Sequence, residues 1–283
     1  MDFTLTTYKE LLQELLANNY SFQTLENFIQ HRNKEKIVIL RHDVDRLPEN
    51  ALKMARMEND EGVKASYYFR VVKESFDEDI IRQIAEMGHE IGYHYEDLSL
   101  CVGNYELSII NFESNLEKFR KIYPVKTICM HGSPFSKWDN RDLWKKYNYR
   151  DYGIIAEPYF DVDFDEVFYI TDTGRSWNNS TASVRDKVNS KFDIKIKDTN
   201  HLTEKIQNNE LPDKIMINVH PQRWTDNPVE WTRELVKQNV KNVIKKLLIG
   251  FTQFSSRHFW VRKSRAGTYD INFYPFQLKA VLG

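Results

Sequence analysis

The sequence predicts an α/β fold of seven parallel β/α units, closed into an incomplete barrel or, alternatively, laid out as an open doubly wound sheet. Three observations predict it. Short apolar runs without polar alternation recur along the chain, the first at residues 37–40, as expected of strands buried on both faces. Segments of helical periodicity separate these runs, which argues for parallel crossover units. The runs also end in polar residues: Asp43 and Asp45 after the first, His94 and Glu96 after the third, His131 after the fourth. Glu157, Asp172 and His220 follow the fifth, sixth and seventh. In a parallel barrel those ends meet on one face, where ligands bind.

Element by element, residues 4–17 carry Leu5, Tyr8, Leu11, Leu12, Leu15 and Leu16 at helical spacing, and a second short helix is expected to hold Phe22, Leu25, Phe28 and Ile29. The opening strand follows. Pro48 then suits a first helical turn, and Gly62 a stop after about residue 60. Residues 65–72 form the second strand and 77–87 a helix closed by Gly88. The third strand spans 90–96, and a long helix covers 104–123 with Leu107, Ile110, Leu116 and Phe119 on its apolar face. The fourth strand is 126–131, followed by a helix at 139–147. Residues 153–156 and 167–171 give the fifth and sixth strands. Residues 176–200 read as a polar excursion with a short strand near 192–196. A helix at 201–208, the seventh strand at 214–219 and a helix from 229 to about 248 complete the pattern. The whole reads as one domain: N-terminal helices over 1–34, a barrel over 35–250, and a tail over 251–283 packed on the body.

Composition narrows the function. Lys and Arg number 40 against 41 Asp and Glu, so net charge −1 gives no electrostatic case for binding nucleic acid. Cys101 and Cys129 form neither a disulfide framework nor a CxxC motif, and Cys129 sits in an apolar run, as a buried thiol does. The N-terminus lacks a basic stretch followed by an apolar one, and no run has the length of a membrane span, so a cytoplasmic location is expected.

Each polar residue at a strand end also has a structural reading. Asp43 and Asp45 can cap the helix at Pro48, His131 can shape a turn, and Glu96 can begin the next helix. Asp43 and Asp45 are two apart, so an extended chain turns them to one side. Together with His94 they make a metal or acid–base site the sharper reading.

The order and spacing of these motifs resemble the NodB-type polysaccharide deacetylases, the family 4 carbohydrate esterases. His42-Asp43-Val44-Asp45 is similar to that family's first motif. Gly88-His89-Glu90-Ile91-Gly92-Tyr93-His94 is similar to the lead-in and first ligand of the second. The turn at His131-Gly132-Ser133-Pro134-Phe135 resembles the third, Asp172 to Trp177 the fourth, and the strand ending in His220 the fifth. The likeness covers roughly residues 36–224, and what it implies is a distorted (β/α)7 barrel of the polysaccharide deacetylase type, with extra N-terminal helices. It implies Asp43 as catalytic base, Asp45 and His94 as metal ligands, and His220 as catalytic acid, with Asp172 supporting it. A divalent ion, Zn²⁺ by preference, would assist hydrolysis of an acetamide on a sugar, nucleotide sugar or oligosaccharide. The chain departs from the pattern at Leu98, where the second His ligand would stand. His131 is the first replacement, with Glu96 and His42 as alternatives. Arg175 and Arg223 are expected to bind a substrate anion, Trp177 and Trp224 to stack on a sugar, and Ser133 to line the site. A weaker likeness points to proteins of surface polysaccharide or O-antigen synthesis. Leu98 also leaves open a catalytically silent carbohydrate-binding relative, and related barrels hydrolyse non-sugar amides.

Overall fold

The computed structural model describes residues 1–31, 36–133, 136–177 and 186–257, with side chains through residue 242. The elements are α1 (Leu5–Ala17), β1 (Ser21–Gln23), α2 (Leu25–His31), β2 (Ile37–Val44), α3 (Pro48–Asp60), β3 (Ser66–Phe69), α4 (Glu78–Glu86) and β4 (Glu90–Tyr95). Then come α5 (Asp97–Leu100), α6 (Tyr105–Arg120), β5 (Ile128–Met130), α7 (Pro158–Asp161), β6 (Phe168–Thr171), α8 (Thr199–Gln207), β7 (Lys214–Val219) and α9 (Pro228–Arg257). Residues Met1–Val243 form one compact unit. Residues 258–283, the greater part of the expected tail, lie outside the described residues. No helix among the described residues is long and apolar enough to cross a membrane.

The sheet is a curled half-barrel of parallel strands in the order β5-β4-β3-β2-β7-β6. One edge of β2 pairs with β7 from Ile37 to His42. The other edge is shared, with β1 against Ile37–Ile39 and β3 against Arg41–Val44. Period-two alternation sorts the side chains of β2 between two cores. Ile37 and Ile39 join Tyr68, Cys129, Tyr169 and Met216 in an inner cluster that includes Leu25 and Phe28 of α2. Val38, Leu40 and Val44 point the other way, into a larger cluster with residues of α1, α3, α4 and α6. Full burial of Ile39 contributes about 2 kcal/mol. The same alternation carries Arg41 and Asp43 on the inner side beyond Ile39, where the apolar layer gives way to a polar one.

Local chemistry explains the helix starts. Thr4, Asp77, Asn104 and Asp198 each accept a backbone N–H of the first turn through a side-chain oxygen. Gly92 is required by packing: a Cβ there would stand 2.3 Å from Tyr68 Cε1 and 2.9 Å from Thr127 O. Tyr68 can lie across β4 only because that position has no side chain.

The structure differs from the sequence expectation in five places. Phe22 lies in a strand rather than a helix, because the first half of β2 takes a partner on its open edge. Thr24 then opens α2 instead. The expected strand at 153–156 is reduced to one bridge, Thr127 to Ala156, squeezed between the left-handed Gly153 and the Glu157–Pro158 helix start. In α6 the buried face is Ile109, Phe112, Leu116 and Phe119, while Leu107 and Ile110 are exposed. Residues 192–196 form no strand, and residues 139–147 make a 3-10 turn, Asn140–Lys145.

Candidate metal centre and active site

The strand ends bring Asp45, His94 and His131 together, with one ligand atom from each lying within 4.8 Å of the others. His94 Nε2 is 3.6 Å from Asp45 Oδ1, and His131 Nε2 is 3.4 Å from the same oxygen. Each imidazole is anchored through its other nitrogen. His94 Nδ1 donates to the carbonyl of Cys129 at 2.9 Å, and His131 Nδ1 donates to Glu96 Oε2 at 2.8 Å. That fixes the tautomer and leaves both Nε2 lone pairs facing Asp45. Asp45 Oδ1 is buried and has no hydrogen-bond donor, whereas Oδ2 accepts from Gln222 Nε2 at 3.0 Å. Three electron-pair donors converging on one point, one of them an orphaned carboxylate oxygen, fit a divalent cation, and two imidazoles with one carboxylate are a borderline-metal donor set. Burial opposes the charge on Asp45, but His94, then His131 and His220, in their protonated forms, outweigh it and hold the carboxyl of the metal-free site below its usual range.

The register of the sheet explains why His131 arrives here. β4 and β5 pair with His94 beside Cys129 and Tyr95 beside Met130. The next rung sets Glu96 beside His131, whose N–H donates to Tyr95 O at 2.8 Å. Leu98, by contrast, lies in α5 and is buried in the apolar core. Of the alternatives for the third ligand, Glu96 stands behind His131 and is clamped by Arg70 Nε at 2.7 Å. Its pKa falls to about 2: burial pushes it up, and His131 and Arg70 more than reverse that. His42 points to the opposite face, donates through Nε2 to Glu58 Oε1 at 2.7 Å and stacks on Tyr67 at 4.2 Å. It is a packing residue of the outer core.

Asp43 lies 3.9 Å from His94 Nε2 and is 3% exposed. Arg41 grips it with two bonds, Nε to Oδ1 at 2.8 Å and Nη2 to Oδ2 at 2.6 Å, and Asn218 Nδ2 donates to Oδ2 at 3.0 Å. Burial works against its charge; Arg41 and then His94 overcome this and keep it ionised far below the usual carboxylate range. Asp43, His94 and Cys129 also lie close enough to share an ion. Asp43 already takes three hydrogen bonds from Arg41 and Asn218, however, and His94 Nδ1 is committed to the Cys129 carbonyl, so the Asp45 group is the better donor set.

His220 pairs with Asp172, Nδ1 to Oδ1 at 2.6 Å, which leaves Nε2 as the nitrogen able to exchange a proton. Asp172 is fully buried and also accepts from His220 N at 2.9 Å, Arg223 Nη1 at 2.5 Å and Trp224 Nε1 at 2.8 Å. Burial raises its pKa, but Arg223 and then His220 reverse the shift, so Asp172 stays ionised. The charge of His220 is felt by both Asp43 and Asp45.

The expected substrate contacts are corrected in part. Trp177 and Trp224 are 3% and 0% exposed, their N–H groups donating to Thr199 and Asp172, so neither offers a face to a sugar. Arg223 is spent on Asp172. Arg175 packs over the rings of Phe3 and Trp231 and donates to Arg223 O at 3.3 Å. Ser133 does reach the site, 3.1 Å from His131 Nδ1, with Asn140 Nδ2 on its hydroxyl at 3.2 Å; Pro134 and Phe135 of the same turn lie outside the described residues.

Sequence reasoning missed Arg41, Arg70, Asn140, Asn218 and Gln222. Arg41 and Asn218 were findable, since each sits two residues before a named strand-end residue and so shares its face.

No family model matches the sequence, and no curated protein matches it. Among solved structures, the chain is similar to a family 4 carbohydrate esterase from Bacillus anthracis, at 15% identity and a TM-score of 0.39 over 84% of this chain and 96% of that one. It is also similar to PdaA, a family 4 carbohydrate esterase of Bacillus subtilis, at 13% identity and a TM-score of 0.37 over 74% of this chain and 86% of that one.

Proposed function

We propose that the protein is a metal-dependent hydrolase that removes the acetyl group from an N-acetylated sugar, with Asp45, His94 and His131 as the ligands. The observation that carries the reading is the orphaned Asp45 Oδ1 facing two oriented Nε2 atoms, beside the ionised Asp43 and the His220–Asp172 pair. A divalent ion in that position, Zn²⁺ by preference for this donor set, supplies Lewis acidity toward an acyl oxygen and acidifies water.

The chain's own residues then divide the proton work. Asp43, unprotonated at neutral pH, accepts the proton of the attacking water, and Arg41 and Asn218 hold its carboxylate in place. His220 delivers a proton from Nε2 to the leaving amine nitrogen. Asp172 keeps the imidazole in the tautomer and orientation that this transfer needs. Unlike partners keep acid and base apart in role: Arg41 stabilises the anion of Asp43, and Asp172 orients the His220 ring.

The sugar assignment, and the further placement in surface polysaccharide or O-antigen synthesis, rest on the five sequence motifs. Burial of Trp177 and Trp224 supports a second reading, hydrolysis of a non-sugar amide, because it removes the expected stacking faces. Assaying the zinc-loaded chain for acetate released from N-acetylated sugars, nucleotide sugars and oligosaccharides, and for ring opening of cyclic amides, separates the two. Asp43→Asn should abolish turnover while the metal stays bound. Full activity of Asp43→Asn, or of metal-stripped protein, would overturn the scheme.

A further inference from the structure

The two histidines of the centre are held in unlike ways. His94 sits inside β4, is 2% exposed, and is fixed by packing as well as by the Cys129 carbonyl. His131 follows β5 in coil, and its side chain is 16% exposed. Its backbone is anchored by Tyr95 O and Asn140 Nδ2, which leaves the ring orientation to side-chain partners. The charged one is Glu96, 5% exposed, whose Oε2 is 2.8 Å from His131 Nδ1.

Glu96 is itself immobilised. Arg70, at the end of β3, donates Nε to Glu96 Oε1 at 2.7 Å, and Ser133 Oγ donates to Oε2 at 3.3 Å. Arg70 Nη1 also reaches the carbonyl of Asp45 at 3.3 Å. One guanidinium thus touches the backbone of one ligand and the carboxylate behind another.

Resting on the metal-centre reading above, we infer that Glu96, clamped by Arg70, is the positioning residue that makes His131 a ligand. A carboxylate on Nδ1–H fixes the ring and raises the electron density at Nε2, and losing such a partner commonly costs about 10- to 100-fold in metal affinity. Glu96 is not itself a ligand in this account, and His94, held by its strand, has no need of a charged partner. The pair sets how tightly the ion is held.

The test is a zinc titration of the full chain in competition with a chromophoric chelator. Glu96→Gln should weaken zinc binding by about 10- to 100-fold, measured at a temperature where its metal-free form is folded. Arg70→Gln should weaken it in the same direction. Asp97→Asn is the control, because that adjacent carboxylate faces Tyr93, Asn111 and Asn115; it should leave zinc affinity unchanged. The absorption spectrum of the Co²⁺-loaded Glu96→Gln protein should also change, since His131 would no longer be held in one orientation. Tight zinc binding by the wild type and equally tight binding by Glu96→Gln would overturn the inference and leave the centre standing. No zinc binding by the wild type would overturn both.

Discussion

Replacing Asp172 by Asn tests the acid half of the site and its architecture together. Asp172 is fully buried and receives four donors: His220 N, His220 Nδ1, Arg223 Nη1 and Trp224 Nε1. The amide keeps one acceptor oxygen and turns an NH2 toward the remaining donors. It also strips the buried Arg223 guanidinium, 8% exposed, of its counter-charge. Breaking a buried ion pair from one side costs about 3–5 kcal/mol. For a folded body of this size that is a fall of about 10 °C in the unfolding midpoint. Turnover should fall further than stability, by about 10⁴-fold if the His220 tautomer is lost, as when the orienting Asp of a triad is removed. Thermal unfolding and initial rates of acetate release, measured below the midpoint of the variant, separate the two effects. A variant within about 1 kcal/mol of wild type would refute the claim that Asp172 is the hub of this corner. Normal turnover would refute its role behind His220.

Two further predictions concern the scaffold. Glu157 is fully buried, and burial raises its carboxyl from the ordinary 4.5 to about 7 against the hydrogen bonds from Tyr159 and Met130. The folded state therefore favours the protonated form. Its stabilising contribution is complete below about pH 4.5 and is lost as pH rises through about 7, a drop of about 3 kcal/mol. Urea unfolding between pH 5 and 8 should show this slope in the wild type and a flatter one in Glu157→Gln; equal slopes would count against it. Gly92→Ala should destabilise by about 1–3 kcal/mol through its clash with Tyr68, and should loosen metal binding because His94 lies on the same strand. An unchanged midpoint and zinc affinity would contradict the packing argument.

The parallel sheet and the meeting of the strand ends were legible because they depend on local signals, apolar runs followed by charged residues. Asp43, Asp45, His94 and His220 carried those signals directly. The third member of the cluster was not decidable from spacing, because it depends on which strand lies beside β4. His131 reaches the site through the β4–β5 register, a long-range fact, while Leu98 looked like a defect only as long as the ligand was sought on the same strand. The tryptophans misled for a related reason. A Trp in the loop after a strand-end Asp or His reads as a sugar platform, yet Trp224 buries its ring and gives its N–H to Asp172. Phe22 and the 153–156 segment show the limit for short elements, where pairing rather than propensity decides.

In the proposed centre Asp45, His94 and His131 hold one divalent ion. Elemental analysis of the purified chain after zinc supplementation, paired with anomalous diffraction at the zinc edge, tests it directly. About one equivalent per chain is expected, seated between Asp45 Oδ1 and the two Nε2 atoms, and lost in Asp45→Ala, His94→Ala and His131→Ala. Less than about half an equivalent, or an ion seated on other residues, would contradict it.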